Sequence, residues 1–366
     1  MKLSIERETL LEPLQMVIGV VERRQMLPIL ANVLLSIHDN QLSVTATDME
    51  IELISHYTAE LGKNSVQLTV SGRKLLDIFR TLPQNANVTL EQDKERLVIR
   101  SGQSRFILTT LPVASFPKFE VATPLLTLSV SQKELLGLLQ ACHFSMAQQD
   151  VRHYLNGMLL DIKNDGIYAV SADGHRFAMS YQTTPISNKT AQIILPRKAA
   201  LELLRLLKQE DSPLTLAVGE NYLRIHDDSF TFTSRLIDGR FPDYARILPK
   251  EKGSVITLNK EILKDALMRA AILSNEKFRT IRLKLLPGFM HILANNPEQE
   301  EAEEILAIDY ADKELDIAFN VSYLLDVLNS ISGENVQLTF VDSNNRMFVE
   351  ELGDSNNLFL IMPLDV

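Results

Sequence analysis

The chain has 366 residues, of which 45% are hydrophobic and 23% are charged, which is typical of a globular protein too long for a single core. No apolar run is long enough to span a bilayer and the amino-terminal MKLSIERETL is unlike a signal peptide, so we expect a cytoplasmic protein. The net charge of −10 argues against nucleic-acid binding by the chain as a whole, but it leaves room for a basic surface on one side.

The first predicted element is a strand that runs into an amphipathic helix, and it occurs three times. It reads LSIERETLLEPLQMVIGVV from Leu3, LSVSQKELLGLLQACHFSM from Leu128 and ITLNKEILKDALMRAAILS from Ile256. The one cysteine, Cys142, lies in an apolar stretch of the second copy and is expected to pack there. Spacings of three and four residues predict a core-facing side for the first and third copies, made of Leu10, Leu14, Val17 and Val21, and of Ile262, Leu263, Ala266, Leu267 and Ala270.

A second strand-to-helix segment follows in each copy. It reads LTVSGRKLLDIFRTL from Leu68, IILPRKAALELLRLL from Ile193 and IAFNVSYLLDVLNSI from Ile317. Ser71, Pro196 and Asn320 stand at equivalent positions, 125 and 124 residues apart. Each of these residue types favours the entry to a helix, so we expect a helix to begin directly after each one.

The end of the unit also recurs. RFILTTLPVASFPKF from Arg105 matches FTFTSRLIDGRFPDY from Phe230, and the third copy ends in LFLIMPL near Pro363. The alternating segments between these landmarks indicate antiparallel strands, and the Pro-containing stretches after Leu111 and Leu236 indicate linkers. The sequence therefore predicts an α+β protein of three tandem units, at residues 1–123, 124–252 and 253–366, each with two helices and about eight strands.

Several unusual strings resemble one known family along the whole chain: SRFILTTLP, FSMAQQDVRHYLNGML, DGRFPDY and ANNPEQEEAEEIL are similar to segments of the β subunit of bacterial DNA polymerase III, the sliding clamp. The resemblance implies a DNA-clamp fold in which two chains pair head to tail into a ring. Helices would line the hole and sheets would form the outside. Such a ring encircles duplex DNA without regard to sequence and confers processivity. It carries out no chemistry of its own, so no enzyme activity, cofactor or metal is expected.

The same resemblance implies a set of partners. They are a second copy of the chain, double-stranded DNA, the α subunit of the replicative polymerase, an ATP-driven clamp loader, and other proteins that carry short clamp-binding peptides. No membrane is implied.

Basic residues on the second helix of the first two units suggest a DNA-facing surface, although a solvated helix face is the simpler interpretation of any one helix. The third unit has Asn320, Ser322 and Asn329 where the others are basic. Tyr154 has an alternative role as an aromatic at the edge of the core. From the basic helices and the resemblance together, the predicted DNA contacts are Arg24, Arg73, Gln149, His153, Tyr154, Arg197 and Lys198.

An acidic run in the third unit has a basic counterpart in the first, and in the ring that the resemblance implies the two would face each other in a heterologous contact between chains. A solvated face is the default interpretation of such a run. The acidic residues are Glu298, Glu300, Glu301, Glu303 and Glu304, and the counterpart contains Lys74, Arg96, Arg100 and Arg105 beside Phe106 and Leu108. The resemblance adds an apolar contribution from Ile272, Leu273 and Phe278.

In the family, partner peptides with a Gln and spaced Leu or Phe residues dock in one pocket per chain, between the second and third units. Most of the matching residues are apolar, as expected of such a pocket. They are Leu155, Ala172, Gly174, His175, Arg176, Phe177, Pro242, Arg246, Ile247, Asn320, Tyr323, Leu360, Ile361, Met362, Pro363 and Leu364.

Two other functions compete with this interpretation. Asp173 and His175 could belong to a metal-dependent hydrolase, but no Walker A loop, GxGxxG, paired CxxC or HExxH is present. The alternating Asp48, Glu50 and Glu52 could suggest a metal site, but they fit the solvated face of a strand better. The second alternative is a module that binds peptides without DNA.

Overall fold

The computed structural model describes residues 2–21, 27–58, 65–184, 190–249, 253–341 and 346–364. In these residues it contains 24 β-strands and six α-helices, which confirms an α+β protein with two helices and eight strands per copy. The chain forms two compact units, Met1–Lys133 with Leu201–Leu236, and Glu134–Ala200 with Ile237–Val366. The three boundaries predicted from the repeat stay a prediction.

In the first copy, the first helix buries its predicted apolar side and the second begins where predicted. Helix α1 (Arg7–Val17) buries Leu10, Leu14 and Val17, and α2 (Gly72–Thr81) begins directly after Ser71. Val21 is buried as well, beyond the end of α1. The strands are β1 Lys2–Glu6, β2 Asn32–His38, β3 Gln41–Thr47, β4 Ile51–Thr58, β5 Ser65–Ser71, β6 Asn87–Asp93, β7 Arg96–Ser101 and β8 Ser104–Leu111.

The second copy repeats this order, with α3 (Gln132–Cys142) and α4 (Arg197–Leu206), which begins directly after Pro196. Cys142 is fully buried, and burial raises the pKa of its thiol, so the expected packing role is confirmed. The strands are β9 Leu126–Ser131, β10 Gly157–Lys163, β11 Gly166–Ala172, β12 Arg176–Thr183, β13 Ala191–Pro196, β14 Pro213–Val218, β15 Tyr222–His226 and β16 Phe230–Arg235.

The third copy contains α5 (Lys260–Ala271) and α6 (Val321–Ser330), and side chains cap both helices. Asn259 Oδ1 accepts from the Ile262 N–H at 3.1 Å, and Asn320 Oδ1 accepts from the Ser322 N–H at 2.9 Å. The placement of Ile262 in the core was wrong, because the residue lies in the first turn of α5 and is 58% exposed. The strands are β17 Ser254–Asn259, β18 Thr280–Leu286, β19 Phe289–Asn295, β20 Glu301–Ala307, β21 Leu315–Asn320, β22 Asn335–Val341, β23 Arg346–Glu351 and β24 Asn357–Ile361.

All strand pairs between neighbours are antiparallel, and they form three sheets. The first compact unit holds a twelve-stranded sheet in the order β1-β6-β7-β8-β5-β2-β3-β4-β16-β15-β14-β9. The second unit holds an eight-stranded sheet, β13-β10-β11-β12-β24-β23-β22-β17, and a four-stranded sheet, β20-β19-β18-β21. The same two sets of four strands therefore occur in each copy.

Neighbouring copies are joined by one strand from each. We call the pairing of β4 with β16 (residues 51–55 with 230–234) the first junction, and the pairing of β12 with β24 (residues 176–180 with 357–361) the second junction. Phe232 faces Leu53 in the first junction and Phe359 faces Ala178 in the second. The two phenylalanines are 0% and 1% exposed, so the junctions are built alike.

The strand register corrects one detail of the repeat alignment. Ile225 faces Phe232 in the second copy, and Ile99 faces Phe106 in the first. Phe106 is therefore the equivalent of Phe232. The sequence match that pairs Arg105 with Phe230 would instead pair Ile107 with Phe232, one residue further along the chain. Strand β8 contains one more residue than β16 before Leu111, and this extra residue was not visible in the equal spacing of the linkers.

Candidate functional site

An apolar cluster surrounds the second junction. Half-buried residues that pack against it are Tyr154, Ala172, Met179, Ile237, Ile247, Leu248 and Met362. Its buried members are Ala147, Leu155, Leu159, Val170, Phe177, Ile194, Phe241, Tyr244, Val341, Phe348, Leu358 and Leu360. Strands, linker and the turn before β10 all contribute, so one site gathers side chains that are far apart in sequence.

The structure brings six of the predicted pocket residues into this cluster: Leu155, Ala172, Phe177, Ile247, Leu360 and Met362. Ile361 points to the other face of β24 and is fully buried there, so it cannot line the same surface as Leu360. The other predicted residues are exposed or half-buried: Gly174, His175, Arg176, Pro242, Arg246, Asn320, Tyr323, Pro363 and Leu364.

Arg176 organises the polar side of this region. It donates to Asp173 Oδ2 at 2.9 Å and to Asp326 Oδ2 at 2.6 Å. Its guanidinium carbon lies 4.4 Å from the centre of the Tyr323 ring. The His175 ring also stacks on Tyr323, with centroids 6.5 Å apart. Charge-assisted bonds and ring contacts therefore hold His175 and Arg176 in place.

Asp173 has a structural role that the repeat explains. Its Oδ1 accepts from the N–H groups of His175 and Arg176 at 2.9 and 3.0 Å. Asp48 makes the same turn in the first copy, because its Oδ1 accepts from the N–H groups of Glu50 and Ile51 at 2.9 and 2.7 Å. A residue that closes the same turn in two copies needs no catalytic explanation. The described part of the chain holds no cluster of three or more His, Cys, Asp or Glu side chains suited to a metal ion.

The first junction has polar residues where the second has apolar ones. In register, Glu52 takes the place of Phe177 and Thr233 takes that of Leu360. Arg235 takes the place of Met362, since the Arg235 N–H donates to Glu50 O at 2.8 Å and the Met362 N–H donates to His175 O at the same distance. The two junctions have the same strand pairing, but of the two only the second offers an apolar surface.

Glu52 corrects the expectation of a solvated strand face, because it is buried at the first junction. Burial raises the pKa of its carboxyl, and the Phe119 N–H donates to its Oε2 at 3.3 Å. The linker of the first copy therefore rests on a buried carboxylate, where the linker of the second copy rests on an apolar cluster.

The predicted DNA contacts around residue 150 lie on an ordered loop. Gln149 and His153 are exposed, and Gln149 has a φ of 55°. The loop is closed by Asn156, whose Oδ1 accepts from the Asp150 N–H at 2.9 Å. Tyr154 is half-buried, with its ring 6.5 Å from that of Phe241 in an edge-on arrangement. Its alternative role at the edge of the core is therefore confirmed.

Two of the predicted basic contacts also tie helices together. Arg73 donates to Val21 O at 2.6 Å, and Arg197 donates to Met146 O at 3.0 Å. Arg279 does the same in the third copy, where it donates to Ala271 O at 3.2 Å. Each arginine satisfies a carbonyl at the end of the first helix of its copy or a few residues beyond it, a role that sequence reasoning missed because the three arginines are not aligned in sequence. Lys198 is half-buried, and Arg24 lies outside the described residues.

Part of the predicted contact surface between chains lies on two strand edges, those of β8 and β20. In the described residues, β20 pairs on one side only, with β19, and β8 pairs with β5 only through Leu111 and Thr110. One residue of the acidic run is paired within the chain: Glu304 accepts two bonds from Arg269 at 2.8 and 2.6 Å, which lower the pKa of its carboxyl.

Apolar residues near these edges are unusually exposed. Ile272 is 77% exposed and Phe278 is 56% exposed, and Leu273 is half-buried. On β8, Phe106 and Leu108 are half-buried, and Lys74, Arg96 and Arg105 are exposed nearby in sequence. Glu298, Glu300 and Glu301 are exposed as well.

Comparison with known proteins gives one consistent result. Models of the DNA polymerase III beta subunit match residues 1–120 (N-terminal domain), 129–243 (central domain) and 245–365 (C-terminal domain). Among curated relatives, the beta sliding clamp of Pseudomonas putida is 46% identical over 365 residues and that of Escherichia coli K12 is 44% identical over 364 residues. Each comparison covers 100% of both chains.

Solved structures agree with the sequence matches. The DNA polymerase III subunit beta from Pseudomonas aeruginosa has a TM-score of 0.96 at 44% identity. The pol III beta from Caulobacter crescentus has a TM-score of 0.93 at 35% identity. Both comparisons cover 100% of each chain. None of the helices that the structure describes combines the length and the apolar character needed to cross a membrane.

Proposed function

The chain belongs to the family of DNA polymerase III beta subunits, and from this premise we propose how its surfaces divide the work of a sliding clamp. It has the three-domain DNA-clamp fold of that family and is a processivity factor without catalytic activity. A clamp that encircles DNA keeps the polymerase at a high effective concentration near the primer end, so tight binding to DNA is not needed. This role fits a cytoplasmic protein of DNA replication.

The partner that closes the clamp is a second copy of the chain. Both junctions follow one rule. The last strand of one set of four, β4 or β12, pairs with the last strand of the other set of four in the next copy, β16 or β24. The rule leaves two strands without such a pairing in the described residues, β20 of the third copy and β8 of the first. We propose that β20 of one chain pairs with β8 of another, and that two chains close head to tail. This common pairing rule is the single observation that carries the proposal.

The register of this contact follows from the two junctions. Phe106 occupies the position of Phe232 and Phe359, and it would face Ala302. Arg105 would then face Glu303, with Glu301 as its diagonal neighbour. Basic and acidic residues therefore meet, although exposed ion pairs contribute only ~0–1 kcal/mol each.

Apolar residues supply the larger part of the stabilisation. Phe278 stands where Leu30 and Leu155 stand in the first two copies, in the turn that precedes β2, β10 or β18. The two leucines are each 4% exposed and Phe278 is 56% exposed. We propose that Phe278, together with Ile272 and Leu273, becomes buried against Phe106 and Leu108 of the second chain.

The DNA contacts are proposed to be weak and independent of sequence, as sliding requires. The exposed Gln149 and His153 are suited to direct contact, and Arg24 and Lys198 are proposed as two further contacts. Arg73, Arg197 and Tyr154 contribute mainly by holding helices and loop in place, since their described contacts are to the protein.

The apolar surface at the second junction is the proposed docking site for partner peptides. Phe177, Leu360 and Met362 provide the spaced apolar contacts that leucine and phenylalanine side chains require. Arg246 is 82% exposed in its side chain and lies at the proposed rim, where it pairs with Asp243 at 3.0 Å. The replicative polymerase α subunit, the ATP-driven clamp loader and other peptide-bearing proteins would compete for this site.

The enclosure of DNA is tested by loading the chain, with a clamp loader and ATP, onto a nicked circular plasmid. Gel filtration then measures how much chain stays with the DNA. The chain is expected to remain on the circle at high salt and to be lost after a restriction enzyme cuts it, because only an intact circle holds a ring by topology. Retention on the cut plasmid would favour a conventional DNA-binding protein.

A further inference from the structure

The linker between the second and third copies forms one side of the docking surface. Phe241 and Tyr244 are buried members of the apolar cluster, and Ile247 packs against it. The linker has little regular structure, apart from a 3-10 turn at Tyr244–Arg246 that Asp243 caps by accepting from the Ala245 N–H at 3.2 Å. Something outside the linker must therefore fix it against the sheet.

A polar network of buried Asp161 and Tyr244 with half-buried Lys163 provides this attachment. The Tyr244 hydroxyl donates to Asp161 Oδ2 at 2.7 Å, and Lys163 Nζ donates to the Tyr244 hydroxyl at 2.7 Å. Lys163 Nζ also lies 3.1 Å from Asp161 Oδ2 and 4.3 Å from the centre of the Tyr168 ring. Asp161 is 3% exposed, so its carboxylate depends on these two partners. Burial and the bond to Asp161 raise the pKa of Tyr244, which keeps its hydroxyl protonated as a donor.

The first copy lacks every member of this network. By strand register, Ser36 and His38 stand at the positions of Asp161 and Lys163. In the sequence match of the two linkers, Phe119 stands at the position of Tyr244. The surface there holds a polar hollow of about 310 Å³, and Ser36 and His38 help to line it. Phe119 is half-buried, whereas Tyr244 is buried. The network is therefore specific to the copy whose linker borders the apolar surface.

We infer that Asp161, Lys163 and Tyr244 are positioning residues that fix the linker wall of the peptide-docking site. The inference rests on the proposed function of that site. A pocket whose wall is held in one place needs no ordering when a peptide binds, whereas a mobile wall reduces the apparent affinity by the fraction of time spent out of place. None of the three side chains has to touch the peptide.

The test measures peptide binding by the full-length chain. Tyr244→Phe keeps the ring in the apolar cluster but removes the hydroxyl from the network. The dissociation constant of a fluorescein-labelled peptide with one glutamine and spaced leucines is expected to rise about three- to tenfold, the effect of losing one or two buried hydrogen bonds. Amide hydrogen exchange across residues 237–249 is expected to quicken, while the oligomeric mass stays the same.

Two further variants separate positioning from general loosening. Tyr181→Phe removes a hydroxyl that bonds to Asp165 O at 2.8 Å on the same sheet, and peptide affinity is expected to stay unchanged. Asp161→Asn keeps an acceptor for the Tyr244 hydroxyl, so it is expected to retain most of the affinity that Asp161→Ala loses.

Unchanged affinity and exchange in Tyr244→Phe would overturn the inference, and so would equal weakening by Tyr181→Phe. Failure of the unaltered chain to bind the peptide would instead overturn the docking site. In that case, linker exchange in Tyr244→Phe still decides whether the network fixes the wall.

Discussion

The two internal junctions have the same strand pairing but differ in their side chains, and three of the differences make the second junction apolar. Phe177, Leu360 and Met362 give the second junction its apolar surface, which the linker borders. Glu52, Thr233 and Arg235 occupy the same register positions at the first junction. Arg235 lies over the Phe119 ring at 5.3 Å there, and Glu52 is buried beneath the linker. The repeat thus builds one framework, and divergence of its side chains decides which junction can dock a partner.

The proposed contact between chains is a third version of the same junction, and breaking it should have the largest effect. Ile272→Ala together with Leu273→Ala is expected to give monomers at micromolar concentration in light scattering, because each contact loses roughly 3 kcal/mol of apolar burial. Ile262→Ala is the matched control, since Ile262 is also exposed but lies in the first turn of α5, whereas Ile272 directly follows its last residue. A double variant that still runs as a dimer would place the contact elsewhere.

A single substitution can give the second junction part of the polar character of the first. Met362→Arg gives the second junction the arginine of the first, and peptide affinity is expected to fall tenfold or more because a charge replaces an apolar contact. Fluorescence anisotropy of a labelled peptide measures the change. Arg235→Met is the control at the first junction and should leave affinity unaltered. Equal affinity in Met362→Arg would show that Met362 is not part of the binding surface.

Helix entries offer a smaller comparison between copies. Asn320 caps α6 with its side chain, whereas Ser71 makes no such bond at the start of α2. Asn320→Ala is expected to lower the free energy of unfolding by about 1 kcal/mol. Ser71→Ala should change it by much less, and chemical denaturation of both variants gives the difference. Similar losses of unfolding free energy in the two variants would show that the side-chain cap of Asn320 adds no stability beyond that of Ser71.

The smallest expected effect concerns the buried carboxyl of the first junction. Burial raises the pKa of Glu52, so the folded chain holds that proton more tightly than the unfolded chain does. Its contribution to stability is therefore fully present below the unfolded-state pKa and is lost as the pH rises through the folded-state pKa. Glu52→Gln should stabilise the protein at pH 7 by less than ~1 kcal/mol and bring no gain near pH 4.

Urea unfolding at several pH values measures this difference, with Glu50→Gln as the exposed control. A constant gain at all pH values would mean that ionisation of Glu52 is not responsible.

The sequence predicted the repeat, the helix entries and most of the core-facing side of α1 and α5, because these depend on local periodicity. Ser71, Pro196 and Asn320 each precede a helix, as expected. Ile262 was misplaced because spacing alone cannot tell which turn of a helix meets the core. Glu52 was misplaced because its burial comes from pairing with a distant strand.

Non-local packing also hid part of the candidate site. The sequence pointed to Phe177 and Leu360 through resemblance, but Asp161 and Lys163 were missed since their partner Tyr244 is more than 80 residues away. The one-residue difference in β8 was likewise invisible, because equal linker spacing concealed it. Strand register, which sequence periodicity does not determine, was needed for the proposed contact between chains.

The most direct test of a third junction is a cross-link at the proposed register. Arg105→Cys with Glu303→Cys places two thiols on facing residues of an antiparallel pair, at a separation that suits a disulfide. Mild oxidation is expected to give covalent dimers on a non-reducing gel, and the linked clamp should stay on circular DNA in denaturant. The control, Arg105→Cys with Glu304→Cys, points the second thiol to the other face and should link poorly. Efficient linkage of the control and none at Glu303 would contradict the proposed equivalence of the three junctions.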